Sequence, residues 1–124
     1  MKTGTVLLVF EEPHDLETYG TMLRSLGYKT LMCSSQAEGI KSLETERPSF
    51  VIVSQGTRAF EGRQVLERSL QLHPKVPVLV VSQVLDVRCY LEAMNLGAID
   101  YLEKPEPPDL AWVVDTQIPR SGAA

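Results

Sequence analysis

The sequence predicts an α/β fold in which five short parallel strands alternate with five helices. Three observations predict it: short continuous runs of aliphatic and β-branched residues, longer stretches between them with apolar residues at spacings of three and four, and Gly or Pro at most junctions. Continuous apolar runs are typical of parallel strands because both faces of the sheet are covered. Alternating units of this kind favour a parallel sheet with helices on both sides.

The first two units follow this pattern closely. The first strand is predicted over 5–10 (TVLLVF), and Pro13 suits the first turn of the helix that follows. The apolar residues of that helix recur at helical spacing until Gly27, which tolerates the backbone conformation of a helix end. The second strand is predicted over 28–32, and the serine pair at 34–35 offers an N-cap for the second helix.

The remaining three units complete the chain. Pro48 separates the second helix from the third strand, 50–53 (FVIV), which ends at Ser54. The later elements are a third helix lined by Val65, Leu66, Ser69 and Leu72, a fourth strand at 77–81, a fourth helix at 85–96, a fifth strand at 99–102 and a fifth helix from a cap at Asp109 to Gln117. We expect one domain over 1–118, with 119–124 starting a linker or flexible tail. Five such units in 124 residues have the size of a flavodoxin-like doubly wound domain with strand order 2-1-3-4-5.

Composition narrows the class of function. The chain is 44% hydrophobic, which is enough for a core, and its net charge of −4 argues against direct binding to nucleic acid. No apolar run reaches the roughly 18 residues of a membrane helix, and the N-terminus does not resemble a secretory signal. We therefore expect a cytoplasmic location with no membrane contact. Cys33 and Cys89 are expected to be reduced structural residues.

In a doubly wound fold the functional crevice lies at the carboxyl ends of the strands, near the point where strand order reverses. The residues that follow the predicted strands there are Glu11 and Glu12, residues 54–56, Ser82 and Gln83, and Glu103 and Lys104. These are the candidate site residues.

The sequence resembles the receiver domain of bacterial response regulators over about residues 5–117. The strongest match is 96–105 (LGAIDYLEKP), and 5–9, 47–53 and 77–82 match the first, third and fourth strands in the right order. The resemblance implies a two-component (phosphorelay) signalling module that is not an enzyme. In that family an aspartate at the end of the third strand accepts a phosphoryl group, and neighbouring acidic residues hold Mg²⁺.

The match at the site is partial. Lys104 and Ser82 stand where the family has its lysine and hydroxyl residue, and Glu11 stands at the second acidic position. Phe10 stands where the first acidic residue is lost, and Ser54 stands at the phosphoacceptor position. The resemblance therefore implies an atypical receiver that cannot be phosphorylated on aspartate. Phosphoserine formation at Ser54 by a kinase of another class is the alternative chemistry at this position.

The number of carboxylates at the site predicts how well it can bind Mg²⁺. Glu11 is the one secure carboxylate, with Glu12 as a neighbour, so Mg²⁺ binding should be weak or absent and no cofactor is expected. Lys104 could instead pair with Glu11, Ser82 could cap the fourth helix, and Glu12 could favour the start of the first helix.

Two aromatic residues are candidates for a protein–protein interface. Tyr101 stands at the family's switch aromatic, and without a phosphoryl group its rotamer need not change. Trp112, like Tyr101, is an interface candidate for a homodimer formed through the fourth helix, fifth strand and fifth helix. The resemblance also implies a cis Lys104–Pro105 bond.

Three functions are compared. The first is a receiver-like module that acts through protein–protein contact, with protein partners or a covalently linked output domain. The second is the regulatory fragment of a larger transcriptional regulator or hybrid kinase. The third, a flavodoxin-like protein that binds a small ligand, is disfavoured because Glu11, Glu12 and Pro13 stand where a phosphate-binding loop should be.

Overall fold

A computed structural model describes residues 4–118. Five parallel strands form one sheet in the order β2-β1-β3-β4-β5, which confirms the predicted fold class and strand order. The strands are β1 (Thr5–Val9), β2 (Lys29–Cys33), β3 (Phe50–Ser54), β4 (Val78–Ser82) and β5 (Asp100–Glu103). The helices are α1 (Pro13–Ser25), α2 (Gln36–Thr45), α3 (Arg63–Leu72), α4 (Val87–Leu96) and α5 (Pro107–Gln117).

The sheet is covered on both faces, as its continuous apolar strands require. Alternate residues of β1 point to opposite sides: Leu7 and Val9 pack toward α2, α3 and α4, whereas Val6 and Leu8 pack toward α1 and α5. All four of these side chains are fully buried. The helices therefore cover both faces of the sheet, and the carboxyl end of the strands carries the candidate site.

Local capping explains where the helices begin and end. Ser35 caps α2, as predicted, by accepting a hydrogen bond from the Glu38 N–H at 3.1 Å. Gly97 ends α4 with φ 117, a left-handed conformation that only glycine adopts without strain. These contacts fix the loops that lead into and out of the strands.

Strand β1 ends one residue earlier than predicted, and β2, β4 and β5 each lie one residue later than predicted. Three other predicted details are wrong. Helix α4 begins at Val87 instead of residue 85, because the Asp86 carboxylate accepts the Cys89 N–H at 3.1 Å and caps it there. Helix α5 begins at Pro107 instead of at a cap on Asp109, since its paired prolines suit the first turn. The Lys104–Pro105 bond is trans, and Lys104 makes the turn with φ 41.

Both cysteines are buried and free, as predicted. Burial raises the pKa of the Cys33 thiol and of the Cys89 thiol. Among the helices within 4–118, none is long and apolar enough to cross a membrane. The predicted linker at 119–124 lies outside the described residues.

Candidate functional site

The candidate residues lie together at the carboxyl edge of the sheet. Strand pairing places Ser54 beside Val81, and it places Ser82 beside Glu103 on the neighbouring strand. The sites after β1, β3, β4 and β5 therefore line one continuous edge, in the order the sequence predicts.

At the end of β1, an aromatic side chain fills the space next to the acidic residues. Phe10 is 1% exposed, and its ring lies 5.5 Å from that of Tyr19, centroid to centroid. Glu11 and Glu12 are exposed. The Glu12 carboxylate accepts the Asp15 N–H at 2.8 Å and so caps α1, as predicted.

At the end of β3, Ser54 starts a loop held by its own hydrogen bonds. The Ser54 hydroxyl oxygen accepts the Gly56 N–H at 3.2 Å. The Glu61 carboxylate accepts from the Thr57 N–H at 2.7 Å and from the Thr57 hydroxyl at 2.8 Å, which lowers the pKa of Glu61. Gly62 packs so tightly on the Ser54 carbonyl that a Cβ would overlap with it. Hydrogen bonds of the Ser54 and Glu61 side chains therefore hold the loop between β3 and α3 in this conformation.

Ser82 and Lys104 meet through the backbone. The Lys104 N–H donates to the Ser82 carbonyl at 2.9 Å, and the buried Ser82 hydroxyl donates to the Val84 carbonyl at 2.8 Å. Ser82 therefore stabilises the loop before α4, whereas Asp86 is the cap of that helix. Among ion pairs of residues 4–118, none joins Lys104 to Glu11, so the expected pair is not formed.

A hydrogen bond spans the crevice above β3. The Gln83 amide, after β4, donates to the Asp15 carboxylate in the first turn of α1. This bond joins the loop before α4 to the helix on the opposite face of the sheet.

Tyr101 is held in a buried position by contacts to three elements. Its hydroxyl donates to the Gln55 side-chain oxygen and accepts the Asp86 N–H at 3.2 Å. Tyr90 meets its ring edge-on, with centroids 5.7 Å apart. Gln55 is 4% exposed, and its amide also donates to the Thr57 carbonyl at 3.1 Å. We define these four residues (Gln55, Asp86, Tyr90 and Tyr101) as the tyrosine network.

Sequence reasoning found Tyr101 and placed Gln55 at the crevice, but it did not predict that Gln55 and Asp86 are hydrogen-bonded to Tyr101. Gln55 and Asp86 lie 46 and 15 positions away from it in the chain. A polar residue directly after a buried strand was the one available signal for Gln55. Because Tyr101 is 5% exposed, it offers almost no side-chain surface to a partner.

An open cavity of about 610 Å³ lies above this network, between the β3–α3 loop and the β4–α4 loop. Its lining residues are Gln55, Gly56, Thr57, Arg58, Gln83, Val84, Leu85, Asp86 and Val87. We call this cavity the loop cleft. Its walls combine exposed aliphatic side chains with the guanidinium of Arg58.

Trp112 is 69% exposed on α5. It lines a shallow groove with Met22 of α1, with Leu26 directly after α1 and with the prolines that begin α5. Trp112 therefore lies toward α1, on the side of α5 away from α4.

The donor groups at this edge do not fit a magnesium site. Within residues 4–118, no three His, Cys, Asp or Glu side chains lie together in a way that could hold a metal ion. Phe10 contributes no oxygen, Ser54 is neutral, and the Glu12 carboxylate is used in capping α1. Glu11 remains as one exposed carboxylate.

Comparison with known proteins defines the class. Residues 6–115 match the family model of the response regulator receiver domain. This chain belongs to that family.

The curated relatives of the chain include bacterial transcriptional regulatory proteins. The chain is 27% identical over 124 residues to the transcriptional regulatory protein GlrR of Escherichia coli strain K12, covering 99% of this chain and 28% of that protein. It is 33% identical over 110 residues to the alginate biosynthesis transcriptional regulatory protein AlgB of Pseudomonas aeruginosa, covering 87% of this chain and 24% of that protein. The chain thus spans about a quarter of the length of these relatives.

Solved structures agree on the fold. A CheY-like response regulator receiver domain protein from Methanospirillum hungatei superposes with a TM-score of 0.84 at 23% identity, covering 90% of each chain. A Burkholderia pseudomallei response regulator with a phosphorylated aspartic acid superposes with a TM-score of 0.80 at 19% identity, covering 91% of this chain and 65% of that one.

Proposed function

We propose that this receiver domain passes on a signal through contact with other proteins, without phosphorylation of an aspartate. The observation that carries the proposal is Ser54 at the carboxyl end of β3, the position that the family resemblance assigns to the phosphoacceptor. A serine hydroxyl is a weak nucleophile unless a base lies beside it. Here the Ser54 oxygen accepts a backbone N–H instead.

The surroundings of Ser54 support the proposal independently. Phosphoryl transfer depends on cations placed around the phosphoryl oxygens, and Mg²⁺ needs several oxygen ligands. Phe10 is buried against Tyr19 where the family has an acidic residue. Ser82 and Lys104 persist, but the Ser82 hydroxyl is occupied by the Val84 carbonyl. The fold and the residues Ser82 and Lys104 match the family, whereas Phe10 and Ser54 replace two of the carboxylates that the family has at this site.

The output of the domain is proposed from its relatives. GlrR and AlgB are transcriptional regulatory proteins, and this chain matches about a quarter of each. We infer a regulatory module for a covalently linked output domain or a separate protein partner, in the cytoplasm and without enzymatic activity or direct contact with nucleic acid. A homodimer through α4, β5 and α5 is a second mode of contact. Tyr90 on α4, 38% exposed, supports that surface.

Magnesium titration tests the proposal at the level of the site. Backbone amide shifts of the full chain are followed while Mg²⁺ is raised to millimolar concentration. We expect no saturable change at Glu11, Ser54 or Lys104. The variant Phe10→Asp/Ser54→Asp restores two carboxylates and is the matched control, in which we expect saturable changes at the same amides. Saturable binding by the unmodified chain would contradict the proposal.

A further inference from the structure

Four of the seven large exposed apolar side chains of the described residues lie together at one place. Val84, Leu85, Val87 and Leu91 are 69%, 54%, 61% and 54% exposed. The first three line the loop cleft, and Leu91 lies one turn beyond Val87 on the outer face of α4. Contiguous apolar surface of this kind on a soluble domain marks a binding surface.

The charges around the cleft are arranged unevenly. The Arg58 side chain is 95% exposed and that of Arg88 is 62% exposed, whereas the side chains of Asp86 and Glu92 are 15% and 22% exposed. The Asp86 carboxylate caps α4 by accepting the Cys89 N–H, and it also pairs with Arg58 at 3.7 Å. Glu92 is shared between Arg88, at 3.3 Å, and Arg63. On a chain of net charge −4, the cleft and the adjacent turn of α4 therefore expose their guanidinium groups more than their carboxylates.

The floor of the cleft is already ordered. Gln55 and Asp86 line the cleft, and both are hydrogen-bonded to the buried Tyr101. A preformed floor lowers the ordering cost of binding, because little protein freedom remains to be lost.

We propose that the loop cleft binds a segment of a partner protein that combines apolar side chains with carboxylates. This inference rests on the proposed function, in which the domain works through protein contact, and it names the surface and the chemistry of the partner. Apolar side chains of the partner fill the cavity beside Val84, Leu85 and Val87. Its carboxylates meet the guanidinium groups of Arg58, which lines the cavity, and of Arg88, which lies beside it and donates a hydrogen bond to the Arg58 carbonyl.

Two features favour this occupant over others. The apolar surface extends past the cavity to Leu91, so it is longer than a small amphiphile needs and suits a peptide segment. A second copy docked on the cleft by two-fold symmetry would put the exposed arginines of both chains into one interface without adding exposed carboxylates, and this excess of like charge opposes association.

A peptide titration of the full chain tests the proposal. The probe is a synthetic peptide with Leu at helical spacing and Glu between the leucines, and two control peptides carry Lys in place of Glu or Ser in place of Leu. We expect amide shifts at 55–58 and 83–91 with the first peptide alone, weakening as salt is added.

Matched variants locate the binding. Val84→Ser should raise the Kd about tenfold, whereas Trp112→Ser, which removes an equally exposed apolar side chain elsewhere, should leave the Kd unchanged. Arg88→Gln should raise the Kd several-fold. Arg24→Gln, on α1 and 51% exposed, should not change it.

Four results would overturn the proposal: no saturable binding, equal binding of the Lys peptide, an unchanged Kd in Val84→Ser, or self-association of the free chain that Val84→Ser abolishes. The last result would identify a second copy as the occupant. A gain of one phosphoryl group from a phosphodonor would refute the proposed function instead, and it would leave the result on the cleft standing.

Discussion

Removing the Tyr101 hydroxyl should destabilise the domain by about 2 kcal/mol. That hydroxyl donates to the Gln55 side-chain oxygen and accepts the Asp86 N–H. Because Gln55 is 4% exposed, water does not replace the lost donor in Tyr101→Phe. A lost hydrogen bond costs about 1 kcal/mol, and an orphaned buried acceptor adds a further cost of about 1 kcal/mol or more.

The coupling free energy between the Gln55 and Tyr101 side chains can be measured separately with a double-mutant cycle. Gln55→Met removes the acceptor and keeps an unbranched side chain, and the double variant leaves two apolar groups in contact. The double variant should lose about 1 kcal/mol less than the sum of the single losses, because neither the Gln55 oxygen nor the Tyr101 hydroxyl is then left without the other.

Urea unfolding of the four proteins provides the free energies. Tyr90→Phe, which keeps the edge-on ring and removes the hydroxyl of a partly exposed residue, is the control and should match the unmodified chain. The reasoning fails if Tyr101→Phe lies within about 0.5 kcal/mol of the unmodified chain, or if the two losses simply add.

Three further predictions concern the same edge of the sheet. Gly62→Ala should cost about 3 kcal/mol in a thermal unfolding experiment, because the added methyl group overlaps with the Ser54 carbonyl; a cost below about 1 kcal/mol would contradict the packing described. Phe10→Ala should cost about 3–5 kcal/mol by urea unfolding, since it empties a buried position, and a small loss would mean that the aromatic ring is not part of the core. The Cys89 N–H donates to the Asp86 carboxylate and lowers the pKa of that carboxyl in the folded protein. The ionised carboxylate therefore stabilises the folded protein at any pH above the pKa that Asp86 has in the unfolded chain. This stabilisation is lost as the pH falls through the lower pKa of the folded protein. The gap in unfolding midpoint between the unmodified chain and Asp86→Asn should therefore close as the pH falls below about 4, the ordinary pKa of an aspartate, and a gap independent of pH would refute the charge argument.

The strands and their order could be predicted because they depend on local, strong signals. The run 50–53 is fully buried in the structure, and continuous apolar runs of that length suit few environments other than a covered parallel sheet. Once the strand order is known, the residues that follow each strand must share an edge. For that reason Glu11, Ser54, Ser82 and Lys104 could be placed together from the sequence.

The hydrogen bonds at that edge could not be predicted, because they depend on side chains far apart in the chain. Gln55 meets Tyr101 across 46 positions, and Ser82 bonds to a carbonyl of its own loop instead of capping α4. The side on which Trp112 lies depends on how α5 packs against α1, which the spacing of its apolar residues leaves open. The trans state of the Lys104–Pro105 bond accompanies a backbone turn at Lys104 that the sequence pattern does not determine.

Whether this domain accepts a phosphoryl group on aspartate is tested most directly by its intact mass after incubation with a small-molecule phosphodonor and Mg²⁺. We predict that the mass of the unmodified chain does not change. The Phe10→Asp/Ser54→Asp variant, which restores two carboxylates beside Ser82 and Lys104, should gain one acid-labile phosphoryl group under the same conditions. An acid-labile gain of one phosphoryl group by the unmodified chain would contradict the proposal that it signals without aspartyl phosphorylation.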